Sequence, residues 1–109
     1  MRTEVDFEIT KQDFFKKLCS LPFINAIYLY GSRARGTNSE YSDYDLAIDC
    51  PNATTSDWND IVEFLAEAPF IDKIDSIRYD ELEDGLLKEQ IDKYKKVLYQ
   101  SRFKTCNKF

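Results

Sequence analysis

Two short apolar runs joined by a polar connection constrain the fold of this chain more than any other feature of its sequence. Ile24 to Tyr30 is rich in β-branched and aromatic residues and closes on Gly31, the pattern of a buried strand. Tyr44 to Cys50 alternates, with Tyr44, Leu46 and Ile48 on one side and Asp45, Ala47 and Asp49 on the other, until Pro51 stops it. Between them, Ser32 to Ser42 is polar, contains Gly36 and Asn38, lacks any periodicity and so predicts a loop. So short a connection, from Gly31 to Ser42, favours antiparallel pairing of the two strands.

Helical signals surround this pair. Phe14, Phe15, Leu18 and Leu21 recur at helical spacing between Thr10, a candidate N-cap, and Pro22. Thr54, Thr55 and Ser56 offer cap oxygens to a second helix with Trp58, Ile61, Val62 and Leu65 as its apolar stripe and Pro69 beyond its end. Lys73 to Tyr79 predicts a third strand. After Gly85, the residues Leu87, Ile91, Tyr94 and Leu98 again follow helical spacing, with Val97-Leu98-Tyr99 as an alternative short terminal strand. Residues 101–109 carry Arg102, Lys104 and Lys108 and read as a loose basic tail. The order predicts an α/β (α+β) fold over residues 1–109, a single domain with a small mixed sheet and helices packed on it.

Composition restricts the chemistry. Among the 109 residues none is histidine, which removes Ser-His-Asp and Cys-His nucleophilic machinery and leaves carboxylates, metals and basic side chains. Cys19, Cys50 and Cys106 are odd in number and far apart, so neither a zinc site nor a disulfide framework is expected; Cys19 and Cys50 read as small buried hydrophobes. A net charge of −5 argues against direct nucleic-acid binding, which depends on a basic surface. An acidic protein with a polyanionic substrate needs a metal between the two. The Met1 to Asp6 segment lacks a signal-peptide pattern and no apolar run is long enough to span a bilayer, so the expected location is the cytoplasm, without membrane contact. The acidic cluster Asp80, Glu81, Glu83 and Asp84 reads as a solvated loop and helix start.

The chemistry is concentrated between Gly31 and Leu46. A glycine and a serine directly after a strand let the backbone approach a ligand and offer a hydroxyl and amides to a phosphate oxygen, while Arg33 and Arg35 add positive charge. Asp43 and Asp45 lie two apart at the entry to a strand, where the period of two turns both carboxylates to one face. Paired hard oxygens suit Mg²⁺, which takes a couple of carboxylates and fills its other positions with water and substrate phosphate. In a two-metal arrangement a third carboxylate helps to hold the metal that activates the attacking hydroxyl, and Asp75, in the third strand, is placed for that role.

Rival motifs fail on specifics. A P-loop needs Lys-Ser or Lys-Thr after its second glycine, but Gly36 is followed by Thr37-Asn38. An EF-hand opening at Asp43 needs glycine where Ile48 stands and glutamate where Thr54 stands. A haloacid-dehalogenase-like Asp-x-Asp follows its apolar strand, whereas here the strand follows the aspartates. Taken singly, Gly-Ser is often a plain turn and Ser-Asp-x-Asp a strand-leading cap; their order and separation between two strands carry the signal.

Gly31-Ser32-Arg33-Ala34-Arg35-Gly36 followed by Ser42-Asp43-Tyr44-Asp45-Leu46 resembles the GS-x-A-R-G…S-D-x-D-L signature of the minimal nucleotidyltransferases, the MNT group of the DNA polymerase beta superfamily. More loosely, Ile74-Asp75 resembles the family's third acidic strand and Lys96 to Tyr99 its carboxyl-terminal segment, while Arg78 and Tyr79 depart from the acid and apolar residue of many relatives. The resemblance implies that Gly31 and Ser32 contact a triphosphate and that Asp43 and Asp45 bind Mg²⁺. It also implies that Asp75 completes the metal site or acts as base, with Arg33 and Arg35 assisting. It further implies an antitoxin acting on a HEPN-domain toxin, binding it and transferring AMP from ATP to a hydroxyl, a tyrosine of that partner, with two magnesium ions. The alternatives are an antitoxin that acts by binding alone and a small-molecule nucleotidyltransferase that modifies antibiotics.

Overall fold

The computed structural model describes residues 8–39 and 42–101. Helices and strands follow in the order α1 (Asp13–Cys19), β1 (Ala26–Tyr30), α2 (Ser32–Arg35), β2 (Tyr44–Asp49), α3 (Thr55–Ala66), β3 (Ile74–Arg78), α4 (Leu86–Tyr94) and β4 (Lys96–Gln100). One four-stranded mixed sheet has the order β3-β2-β1-β4. β1 is antiparallel to both β2 and β4, as its short connection to β2 requires, and β2 is parallel to β3 across the α3 crossover.

The sheet separates two clusters of apolar side chains, and the period of two assigns each strand residue to one of them. On one face Ile27, Leu29, Tyr44, Leu46 and Ile48 pack against Phe14, Phe15 and Leu18 of α1 and Ile61 and Leu65 of α3. On the other, Ala26, Tyr28 and Ala47 meet Ile91 of α4, with Tyr30, Ile77 and Tyr79 around them. Asp45, Ala47 and Asp49 therefore share the α4 face, and β2 is covered on both sides.

Thr54 caps α3 as expected, in a reciprocal capping box: its hydroxyl accepts from the Asp57 amide at 3.0 Å and the Asp57 carboxylate accepts from the Thr54 amide at 2.9 Å. Other local expectations are corrected. Thr10 falls within a 3-10 turn, Glu8–Lys11, and Gln12 is the N-cap of α1, without a side-chain cap bond. Val62 lies off the buried stripe of α3 and is exposed. After Tyr94 the chain leaves the helix at Lys95 and forms β4, the strand alternative for Val97 to Tyr99, with a register shift opposite Ile27 and Tyr28. Ser101 is buried and its amide donates to the Asn25 carbonyl at 2.8 Å, so it continues the sheet edge instead of starting a tail. The tail reading for 102–109, Cys106, and the reading of Met1 to Asp6 lie outside the described residues.

Asp80 departs from the solvated reading of its cluster. With a side chain only 12% exposed, it accepts from the Cys50 amide at 2.9 Å and from Arg78 Nε at 3.1 Å. Arg78 Nη2 donates onward to the carbonyls of Cys50 and Ala53, so this pair ties the end of β2 and the approach to α3 onto β3. Cys50 is buried and Cys19 half-buried; burial pushes their thiols up to about 12 and about 11, which keeps both protonated and inert, as small hydrophobes. Among the described residues no helix is long and apolar enough to cross a membrane.

Candidate active site

Gly31 makes the turn out of β1. Its φ of +77° lies in the region that favours glycine, and it serves as the N-cap of α2. Any Cβ at this position would run into the Asp45 carboxylate. The turn is thus pressed against the acid that the sequence pairs with it, and glycine is required on both counts. The expected loop of Ser32 to Ser42 therefore opens with one helical turn, α2, which ends on Gly36 in the left-handed conformation, with the Thr37 amide donating to the Ser32 carbonyl. Four residues are too few to show a helical period in sequence.

The parallel register of β2 and β3 sets Asp45 against Asp75, and the antiparallel register of β1 and β2 sets Asp45 against Tyr30. All three belong to the α4 face at one end of the sheet, and Asp43 immediately precedes β2. Burial first, then the charges of Asp75 and Asp43, pushes the Asp45 carboxyl above the usual range, while Arg33 and Arg35 pull in the other direction. Asp43 and Asp75 thus both lie within electrostatic reach of Asp45, and the Gly31 turn adjoins that carboxylate. Asp75 is half-exposed and has Lys73 Nζ at 3.8 Å.

The arginines part company. Arg33 donates through Nε and Nη2 to the Ser42 carbonyl, at 3.1 and 2.7 Å, lies 4.0 Å over the Tyr44 ring and has Asp72 at 3.6 Å. Its side chain is largely shielded from solvent, and what it visibly does is fasten the loop that presents Asp43. Arg35 is exposed, with the Tyr94 ring 6.0 Å from its guanidinium carbon. Tyr30 belongs to the site although the sequence marks it only as a strand residue: burial and the charges of Asp45 and Asp75 push its hydroxyl up to about 12. Its place two residues after Tyr28, on the side opposite Ile27 and Leu29, is the signal that assigns it to this face.

The donors fit magnesium better than a metal caged by protein. Among the described residues no three carboxylate, thiol or imidazole side chains are gathered into a ready-made metal cage. Magnesium does not ask for one, since it binds through one or two carboxylates and completes its shell with water and phosphate oxygens. The crowding of like charge around Asp45 is relieved by a cation. Two concavities lie elsewhere, one of about 560 Å³ between α1 and α3 lined by Leu18, Leu21, Phe23, Ile61 and Phe64, the other of about 380 Å³ around Phe70 and Ile71. Neither includes an aspartate of the trio, so those carboxylates stand outside both.

Comparison with solved structures finds the same fold in toxin–antitoxin assemblies. A crystal structure of a toxin–antitoxin with AMP-PNP superposes with a TM-score of 0.63 at 21% identity, over 89% of this chain and 76% of that one. Two mutant structures of the toxin–antitoxin MntA–HpeT give TM-scores of 0.61 and 0.62 at 20% and 21% identity, over 94% and 91% of this chain and 77% and 76% of theirs. No curated protein sequence matches. The family model described as polymerase beta, nucleotidyltransferase matches residues 12–104, a span that takes in the glycine-serine turn, the three aspartates and all four strands. The chain belongs to the polymerase beta nucleotidyltransferase family.

Proposed function

We propose that this domain transfers AMP from Mg²⁺-bound ATP to a hydroxyl, a tyrosine of a HEPN-domain toxin, and acts in the cytoplasm as the antitoxin of that partner. The observation that carries this reading is the level placement of Asp45 and Asp75 on neighbouring parallel strands, with Gly31 pressed against Asp45. Gly31 and Ser32 hold the triphosphate, with Arg33 fixing the loop around it and Arg35 adding positive charge beside it. Asp43, Asp45 and Asp75 hold magnesium, two ions in the full arrangement. Bound metal neutralises charge on the phosphates and lowers the pKa of the attacking hydroxyl. The hydroxyl oxygen attacks the α-phosphorus, the bond from that phosphorus to the oxygen bridging to the β-phosphorus breaks, and pyrophosphate leaves. Asp75 receives the hydroxyl proton. The toxin–antitoxin neighbours, one of them with AMP-PNP, support both the partner and the nucleotide.

The test incubates the protein with labelled ATP, Mg²⁺ and a HEPN partner. Label should pass to the partner with the natural sequence and fail to pass with Asp43→Asn; equal labelling by both, or by neither, removes the catalytic claim. The toxin–antitoxin assemblies among the structural neighbours also support a second reading, an antitoxin that acts by binding alone. In that case Asp43→Asn and Asp45→Asn still neutralise the toxin.

A further inference from the structure

Tyr94 ends α4 at the same end of the sheet as the carboxylates. The chain turns at Lys95, and Lys96 opens β4 opposite Leu29, the neighbour of Tyr30. One turn back along α4, Ile91 is 1% exposed and packs into the core, whereas the Tyr94 ring is left 38% exposed. The Arg35 guanidinium stands 6.0 Å from the centre of that ring and also acts on the Asp45 carboxylate. Lys93 Nζ lies 5.4 Å from the same ring. An open aromatic face is therefore one side chain away from Asp45.

The two arginine–tyrosine pairs of this region differ in a way that bears on their use. Arg33 and Tyr44 are closed on each other at 4.0 Å, the tyrosine buried and the arginine side chain only 12% exposed, with the guanidinium bonded to Ser42. Arg35 and Tyr94 are apposed loosely, and both reach solvent. Flat groups in contact are separated by roughly 3.5–4.0 Å, so two such layers need about 7–8 Å. A small swing of the exposed Arg35 opens that much space.

We propose that Tyr94 and Arg35 form a shelf for the nucleobase of a purine nucleoside triphosphate whose phosphates lie at Gly31 and Ser32. This rests on the triphosphate reading of the same site. Aromatic rings and guanidinium planes both stack on bases, with little demand on base identity, and the larger purine covers more of the ring than a pyrimidine. Phosphate oxygens and metal supply charge but cannot tell a nucleotide from a bare polyphosphate. Tyr94 makes that distinction.

The experiment is calorimetric titration of the full chain, in Mg²⁺, with AMP-PNP and separately with inorganic tripolyphosphate. Tyr94→Ala weakens AMP-PNP about tenfold and leaves tripolyphosphate unchanged, while Tyr94→Phe, which keeps the ring, retains the affinity of the natural sequence for both. Thermal melting confirms that the variants fold. Equal weakening toward both probes, or toward neither, overturns the shelf while leaving the triphosphate site standing. If the natural sequence binds neither probe, the triphosphate reading itself fails and the shelf with it.

Discussion

Asp45 and Asp75 are Cα partners on adjacent parallel strands, two like charges at the same level of one sheet face. Such a placement opposes folding unless a cation lies between them. The raised Asp45 carboxyl gives the sign: its folded pKa exceeds the ordinary value of 3.8, so its cost is absent below that pH and fully present above the raised value. Asp45→Asn should therefore raise the melting temperature by a few degrees at neutral pH without magnesium, and should lower nucleotidyl transfer by at least about 100-fold. Paired melting curves and label transfer check this. A variant that loses both stability and activity contradicts it.

Gly31→Ala makes a second, sharper test of the same corner. The substitution places a side chain on a backbone at φ +77° and drives its Cβ into the Asp45 carboxylate. The expected cost is about 1–3 kcal/mol from the backbone conformation, with more from displacing Asp45. Gly36→Ala is the control: its φ is similar, +79°, but nothing lies within 4 Å of a Cβ there, so it should weaken stability while leaving nucleotide affinity intact. Chemical denaturation together with nucleotide titration separates the two effects.

Much of this architecture could be read from local signals. Gly31 and Pro51 mark strand ends, the alternation from Tyr44 to Asp49 assigns faces, and Thr54 with Asp57 starts α3. What stayed hidden depends on contacts distant in sequence. Nothing near Arg33 announces that its guanidinium closes on Ser42 and Tyr44, and nothing near Asp80 announces a partner as far back as Cys50. Composition made the acidic cluster around Asp80 look solvated, whereas Arg78 draws that one member inward. Tyr30 and Tyr94 were readable as elements but not as site residues, because their role follows from which strand ends the sheet brings together.

The Arg78–Asp80 pair should matter to stability and not to nucleotide binding. The side chains are 9% and 12% exposed, and Arg78 Nη2 donates to the carbonyls of Cys50 and Ala53 at the two ends of the β2–α3 turn. Removing one member leaves the other charge buried and unpaired, which costs about 3–5 kcal/mol. Arg78→Ala is expected to reach that range, and Arg78→Lys to recover only part, since an ammonium cannot serve Asp80, Cys50 and Ala53 with the same fork. Urea denaturation measures the loss. Unchanged stability in Arg78→Ala would show that the turn is held by other means.

Tyr79 and Asp92 couple β3 to α4 and should shape stability at both ends of the pH scale. The Tyr79 hydroxyl donates to Asp92 Oδ1 at 2.6 Å, and Lys95 and Lys88 approach the same carboxylate at 3.1 and 3.4 Å. The Tyr79 bond is the first cause holding the Asp92 carboxyl below its usual range, and the lysines add to it. Its stabilisation is therefore present above the unfolded value near 3.8 and is lost as pH falls through the lower folded value. The Tyr79 hydroxyl is pushed upward, first by burial and then by its bond to Asp92, so its contribution holds below the ordinary value of 10.0 and fades as pH rises through the higher folded value. Tyr79→Phe keeps the ring against Tyr28 but removes the bond, and should flatten the pH–stability curve on both the acid and alkaline limbs. Asp92→Asn should flatten the acid limb strongly and the alkaline limb in part. Melting temperatures across the pH range decide it, and acid limbs that coincide for Tyr79→Phe and the natural sequence would show that the lysines alone hold Asp92.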